Sequence, residues 1–292
     1  MRLKFSILFL SLFFVPVSAF AKEAPPTPLF IGPAFKTTTK SYVLVDKNTS
    51  ELLAAKNPYE QRPIASLTKL MTAMVALDDG FDFNGQVTYD PARHYAYRNY
   101  MNFKKGDVIA NDDLWYSMLV GSMNIPARMI VDSLVITDAT FIRQMNSKAI
   151  ALGIPDMRFV DMHGLSEDNI GSAASIAKML SEAIKYPEIA EALGTSYYEF
   201  DEVKSMDKRV HHQFAHTDTL LTKNLSFDIE ASKTGYTSEA GPCIALAIND
   251  TNGKQYFYVN LGESDYYRRF REIPKFIAWW HKLSETSKVA VR

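Results

Sequence analysis

Three short clusters of residues could together carry nucleophilic chemistry. Ser66-Leu67-Thr68-Lys69 sets a hydroxyl and an amine three residues apart, Ser122-Met123-Asn124 follows, and Lys233-Thr234-Gly235 closes the series. After Ser66, Leu67, Leu70, Met71, Met74 and Val75 recur at helical spacing until Asp78-Asp79-Gly80, which places Ser66 at the start of a helix with an apolar body. The positive end of the helix dipole favours a developing alkoxide there, and a lysine three residues on projects from the same face. An ammonium buried beside other cations can lose its proton and serve as the base for that serine. Ser-x-x-Lys alone is weak, since it recurs at Ser175 to Lys178 and at Ser205 to Lys208. Ser175 belongs to an amphipathic helix whose Ile176 and Met179 point inward, so Lys178 reads as a solvated side chain. Taken singly, Ser66 reads more simply as an N-cap, Ser122 and Asn124 as loop residues satisfying local backbone groups, and Lys233-Thr234-Gly235 as a strand end.

In combination and in this order, the clusters are similar to the signature of penicillin-interacting serine enzymes, and the chain resembles the low-molecular-mass penicillin-binding proteins, the serine-type D-alanyl-D-alanine peptidases. The likeness extends to Tyr42-Val43-Leu44-Val45-Asp46 with Asn48-Thr49, to Arg62 through Thr72, to His163-Gly164-Leu165, and to Tyr236-Thr237 with Ala240-Gly241, covering roughly residues 40 to 262. One departure is Ile125-Pro126 after Asn124, where the family more often has a polar residue and alanine.

The resemblance implies that Ser66 attacks the carbonyl between two D-alanine-type residues, with Lys69 removing its proton and Ser122 relaying a proton to the departing amine. It implies that Asn124 fixes Lys69 and holds the substrate amide, that Lys233 supplies positive potential, and that Thr234 hydrogen-bonds a substrate carboxylate. Gly235, lacking a side chain, would let substrate lie against a strand edge, and the backbone N–H groups of Ser66 and Tyr236 would form the oxyanion hole. Peptidoglycan stem peptides are the implied substrates, β-lactams the implied acylating agents, and neither cofactor nor metal is implied. Two activities fit: an endopeptidase cutting D-alanyl–diaminopimelate cross-links, and a carboxypeptidase trimming the terminal D-alanine. Family carboxypeptidases commonly continue into a β-rich domain and an amphipathic membrane helix. Only 57 residues follow Gly235, so the endopeptidase type is the expectation. A β-lactamase would need a deacylating base, and Glu167 lacks the Glu-x-x-x-Asn spacing of its loop. A non-catalytic peptidoglycan-binding or penicillin-sensing protein is disfavoured by the intact Ser66 and Lys69.

The elements that must position these residues follow from patterning. Ser41 to Asp46 and Glu51 to Ala55 read as a hairpin turned by Lys47-Asn48-Thr49-Ser50. From about 82 to 195 helical signals dominate. Asn111-Asp112-Asp113 caps a helix to Val120, and Pro126 sits in the first turn of another. Thr137 caps a third, closed by Gly153, and Ser172 a fourth through Ile184. After Gly194 strands return at Ser196 to Phe200, Ile229 to Gly235, Cys243 to Ile248 and Gln255 to Val259, and Ser264-Asp265 caps a last helix bearing Phe270, Ile273, Phe276, Ile277 and Trp280. The pattern predicts an α/β (α+β) fold: one antiparallel sheet flanked by helices with a mostly helical insert. A β-lactamase/DD-peptidase-like architecture is what the resemblance implies. The catalytic domain is expected over 40–283, with a polar C-terminal tail at 284–292.

Composition bounds the rest. With 292 residues, 47% of them apolar, the chain can bury a large core. Its 32 Lys+Arg against 33 Asp+Glu lack the basic excess of a nucleic-acid binder. Residues 1–21 read as a signal peptide: Arg2 and Lys4 are basic, Phe5 to Val17 is apolar, and Ala19-Phe20-Ala21 offers a cleavage site. That apolar run falls short of the ~20 residues that span a bilayer, so no integral membrane segment is expected in the mature chain. The expectation is a periplasmic protein with at most a loose membrane association, its proline-rich leader running over 22–39. Cys243, the only cysteine, sits in an apolar run and reads as a buried thiol. His211, His212 and His216 could bind a metal only if helical, and no His-Glu-x-x-His base accompanies them, so a polar surface segment near the cleft is the simpler reading. His94-Tyr95-Ala96-Tyr97-Arg98-Asn99-Tyr100 reads either as a rim for glycan or peptide or as an exposed loop.

Overall fold

A computed structural model describes residues 35–98 and 100–290. The segment read as a signal peptide and the leader as far as residue 34 lie outside the described residues. Strands β1 (Ser41–Asp46) and β2 (Leu52–Lys56) form the expected hairpin. The Asp46 carboxylate accepts the backbone N–H groups of Asn48 and Thr49 in its turn. A two-residue strand β3 (Arg62–Pro63) leads into a 3-10 turn (Ala65–Thr68) and helix α1 (Lys69–Asp78). The insert holds β4 (Gln86–Thr88), α2 (Pro91–His94), β5 (Val108–Ala110), α3 (Asn111–Leu119), α4 (Asn124–Ser133), α5 (Asp138–Ala151), β6 (Ile170–Gly171), α6 (Ala173–Ala183) and α7 (Pro187–Gly194). Then come β7 (Tyr197–Asp201), β8 (His211–Ala215), β9 (Phe227–Gly235), β10 (Cys243–Asp250), β11 (Gln255–Leu261) and α8 (Arg268–Ala290).

The main sheet is antiparallel with strand order β2-β1-β11-β10-β9, so the two ends of the chain meet at its centre and β9 is an edge. Period-two alternation assigns the faces. Leu44, Ile244, Leu246, Ile248, Tyr256 and Tyr258 pack against Phe270, Ile273, Phe276 and Ile277 of α8, while Val43, Ala245, Ala247, Phe257 and Val259 join the larger core beneath the insert. Helix α1 runs through that larger core, and every residue from Lys69 to Ala76 is buried. The insert is less purely helical than the sequence suggests, because β4 and β5 pair as a ribbon.

Several local expectations need correction. The α3 N-cap is Ala110, with no side-chain cap, and the Asn111 amide instead donates to the Asp82 carbonyl at 2.7 Å. Thr137 and Ser172 do cap α5 and α6, accepting from Thr140 and Ser175 N–H. The last leader residues are packed: Thr39 is fully buried, its hydroxyl 2.7 Å from Asn260 Oδ1, and Phe35 meets Phe276 edge-on. Helix α8 continues through Ala290, taking in much of the segment read as a polar tail. His211 to Ala215 is a strand, not a helix; it lies beside the cleft with His211 and Gln213 exposed, as a polar surface segment would, but His212 and His216 are buried. His212 Nε2 meets Glu202 at 2.8 Å, and His216 Nδ1 accepts the Asp218 N–H at 2.8 Å. Among the described residues, no group of three His, Cys, Asp or Glu could hold a metal ion, and no helix is long and apolar enough to cross a membrane.

Candidate active site

The turn that carries Ser66 is strained and tightly enclosed. Ala65 has φ +48°, a conformation costing a residue with a Cβ about 1–2 kcal/mol. Two glycines press on this turn. A Cβ on Gly164 would stand 2.0 Å from the Ala65 carbonyl oxygen, and one on Gly235 would stand 3.0 Å from the Ile64 carbonyl and 3.2 Å from Ser66 N. A side chain at Gly235 would therefore crowd the serine's own backbone, which adds to the expected role of admitting substrate. Ser66 is not an N-cap: no side-chain cap closes either the 3-10 turn or α1. Its hydroxyl faces Lys69.

Lys69 is fully buried, with Nζ 2.8 Å from Ser66 Oγ, 2.8 Å from Asn124 Oδ1 and 2.6 Å from the His163 carbonyl. Burial lowers its pKa to about 7, with Asp161 acting against the shift. Two of the three partners, an amide oxygen and a peptide carbonyl, can only accept. A neutral amine thus spends both N–H bonds on Asn124 and His163 and turns its lone pair toward Ser66, the one partner with a proton to give. Asn124 lies in the first turn of α4, and its amide nitrogen donates to the Tyr97 carbonyl at 3.0 Å. Ile125-Pro126 are buried within that helix and leave Asn124 in place.

Ser122 precedes α4 in the left-handed region, φ +55°. Its hydroxyl accepts from Lys233 Nζ at 2.6 Å, and Lys233 also donates to the Thr234 carbonyl at 3.1 Å. Lys233 is fully buried, and burial, then Lys69, then Arg269 push its pKa well below the ordinary lysine range. Burial and Lys233 together lower His216 to about 3, which keeps that imidazole neutral. Thr234 donates to Thr217 Oγ1 at 2.6 Å.

Ser66, Ser122, Asn124, Thr234, Gly235 and Tyr236 line one cleft of about 650 Å³ along the edge of β9, and the fully buried Lys69 and Lys233 lie behind it, bonded to the Ser66 and Ser122 hydroxyls. All eight residues singled out in the sequence are thereby brought together. An edge strand presents unpaired backbone groups to an extended peptide. Tyr97, Arg98 and Tyr100 line one rim, so the tyrosine-rich segment is part of the cleft. Tyr236 and Tyr266, ring centroids 5.4 Å apart, line another. Glu167 is exposed and outside the cleft. Ser175 is held by Asp156 and Ser172, and Lys178 pairs with Glu182 at the surface, so the competing Ser-x-x-Lys has no catalytic geometry.

Sequence reasoning missed Arg269, Thr217 and Asp161. Arg269 is 1% exposed, donates to the Gly235 carbonyl at 2.7 Å and the Cys243 carbonyl at 3.1 Å, and stacks on Tyr266. In the sequence it is one of four arginines and lysines near the start of a helix, with nothing to mark it. Cys243 is buried as expected, and burial raises its thiol to about 11.

Known proteins are similar to this chain. The profile of the family described as D-alanyl-D-alanine carboxypeptidase matches residues 27–264. A D-alanyl-D-alanine endopeptidase of Pseudomonas aeruginosa is 29% identical over 240 residues, 82% of this chain and 75% of its own length. The Escherichia coli D-alanyl-D-alanine endopeptidase is 29% identical over 250 residues, 85% of this chain and 78% of its own. Among solved structures, the Streptomyces K15 DD-transpeptidase superposes with a TM-score of 0.77 at 21% identity, covering 86% of this chain and 100% of that one, which shows the fold. The chain belongs to the D-alanyl-D-alanine carboxypeptidase family and is a serine peptidase of D-alanyl-D-alanine type.

Proposed function

We propose that this peptidase cleaves D-alanyl–diaminopimelate cross-links between peptidoglycan stem peptides, through an acyl-enzyme on Ser66. The observation that carries the mechanism is the fully buried Lys69 amine, 2.8 Å from Ser66 Oγ with its two other partners able only to accept. The endopeptidase preference is supported by the Pseudomonas and Escherichia coli relatives, both named D-alanyl-D-alanine endopeptidases. A Haemophilus influenzae relative, D-alanyl-D-alanine carboxypeptidase DacA, is 27% identical over 291 residues and favours the second reading, release of a terminal D-alanine.

In acylation the Ser66 proton passes to Lys69 Nζ as Oγ bonds to the D-alanyl carbonyl carbon. The resulting oxyanion lies between the N–H groups of Ser66 and Tyr236, which would contribute about 3 kcal/mol per donor. The C–N bond breaks as the departing nitrogen takes the Ser122 proton, and Lys233, 2.6 Å away and disposed by burial to release a proton, restores it. Water then attacks the ester, returning its proton through Ser122 to Lys233, while Lys69 reprotonates the leaving Ser66 oxygen. Both lysines end as they began. Asn124 holds Lys69 and the substrate amide, and Thr234 and Lys233 face the carboxylate on the leaving residue.

Mass spectrometry after exposure to a penicillin tests the nucleophile: one covalent adduct on Ser66, absent in Ser66→Ala, is expected, and no adduct refutes the reading. Separation of products from cross-linked and uncross-linked muropeptides tests the preference, with loss of dimers expected and release of D-alanine alone favouring the carboxypeptidase. The pattern of residues 1–21 supports export to the periplasm by a cleaved signal, and N-terminal sequencing of the mature protein should begin near Lys22.

A further inference from the structure

We propose that Asp161 is a positioning residue for Lys69: its carboxylate ties down the loop whose His163 carbonyl grips the lysine, and it supplies a negative charge facing that amine. The inference rests on the reading of Lys69 as the base. Asp161 lies between α5 and β6, in a loop without regular structure, and three backbone N–H groups converge on its carboxylate. Oδ1 accepts from His163 at 3.0 Å and Gly164 at 2.5 Å, and Oδ2 accepts from Ser166 at 2.8 Å. The His163 ring Nδ1 lies 3.1 Å from the same Oδ1.

The loop is held from two further sides. Thr72, one turn along α1 from Lys69, donates its hydroxyl to the Met162 carbonyl at 2.6 Å, and Gly164 is wedged against Ala65. Consecutive carbonyls, Met162 and His163, are thus fixed to two residues on one face of α1, and the second meets Lys69 Nζ at 2.6 Å. A carboxylate that orders a loop by collecting its N–H groups leaves the carbonyls facing the other way, toward the lysine.

The charge acts in the same direction as the geometry. Burial alone would drive the Lys69 pKa lower, and Asp161 opposes it, leaving an amine that titrates at about 7. A base with a much lower pKa would be neutral yet too weak to take the serine proton. Asp161 itself stays ionised: burial works to raise it, and the His163 ring and the backbone N–H groups outweigh that and hold it well below the usual carboxylate range. The other groups facing Lys69 are His163 on the same loop, Lys233 on β9 with Arg269 of α8 behind it, and the neutral Ser66 and Asn124.

The test is the pH dependence of the penicillin acylation rate in the full chain. Asp161→Asn removes the charge, so Lys69 should lose its proton at lower pH, and the acidic limb should move down by about one unit with a plateau reduced about tenfold. Thr72→Val loosens the loop without touching the charge and should lower the plateau with the limb unmoved. A limb that stays in place in Asp161→Asn, whatever the plateau does, overturns the proposal. If Asp161→Asn does not fold, Asp161→Glu decides: a limb at the wild-type pH supports the charge role, and one displaced by a full unit overturns it. Failure of the underlying reading looks different, since a wild-type rate that is flat from about pH 5 to 9, or a Lys69→Ala variant that acylates normally, removes Lys69 as the base whatever Asp161 does.

Discussion

Gly164 stands so close to Ala65 that a Cβ on it would lie 2.0 Å from the Ala65 carbonyl oxygen and 2.9 Å from Ser66 N. Its φ of +82° excludes most side chains independently. Gly164→Ala therefore forces apart the turn that carries Ser66 and the loop that holds Lys69. The expected result is a loss of about 2–4 kcal/mol in stability, from the left-handed strain and the backbone clash together. Penicillin acylation should fall more than urea unfolding alone explains. Gly153→Ala is the control: its φ is +75°, but a Cβ there meets nothing within 4 Å, so only the strain remains.

The lysine at the centre of the site gives the acylation rate its acidic limb. In the proposed mechanism Lys69 must be neutral to accept the Ser66 proton, so acylation should fall about tenfold per unit as pH drops below about 7. The same shift enters stability with the opposite sense to that of a surface lysine. The folded value lies below the free-lysine value of 10.5, so between about 7 and 10.5 the unfolded chain binds a proton that the folded site has released. Stability from this group therefore rises with pH across that window. Lys69→Met should flatten that rise in urea melts between about pH 7 and 9, and an unchanged slope would show that Lys69 titrates normally.

Much of this site can be read along the chain because its parts are local. Ser66 and Lys69 share a helix face through a three-residue spacing, and Thr137, Ser172 and Gly153 mark helix ends through their own chemistry. What is hidden depends on residues distant in sequence. Asp161 orders its own loop through three nearby backbone N–H groups but matters through the His163 carbonyl's bond to Lys69, on a helix far earlier in the chain. Arg269 matters through the Gly235 carbonyl, thirty-four residues earlier. β8 escaped notice because His212, not an apolar side chain, occupies its inward position, and its partner is Glu202. The Tyr95 to Tyr100 segment could be placed only once Asn124 was seen to bind the Tyr97 carbonyl.

Ser122 combines a strained backbone with a hydroxyl proposed to relay a proton, and two substitutions separate them. Ser122→Gly relaxes φ +55° and Ser122→Ala does not, yet both remove the oxygen that accepts from Lys233 at 2.6 Å. Peptide hydrolysis should drop by about 10²–10⁴ in both, the range for loss of a positioned proton-transfer group. The glycine variant should be as stable as wild type or nearly so. Activity recovering in Ser122→Gly would assign the effect to backbone geometry and remove Ser122 from proton transfer.

Arg269 ties the sheet edge to α8 and shapes the electrostatics of Lys233, and these two effects separate by charge. Its guanidinium bridges two carbonyls and stacks on Tyr266, a geometry a lysine ammonium cannot reproduce. Arg269→Lys and Arg269→Gln should each lose about 1–3 kcal/mol, since a buried carbonyl is left short of a donor. Only the glutamine variant removes the cation that depresses Lys233. Lys233 should then keep its proton to higher pH, and if that proton serves the departing amine, the alkaline limb of peptide hydrolysis moves upward in Arg269→Gln and stays put in Arg269→Lys. Identical limbs in the two variants would mean that the Lys233 proton does not limit turnover, and the relay through Ser122 would have to draw its proton from Lys69 instead.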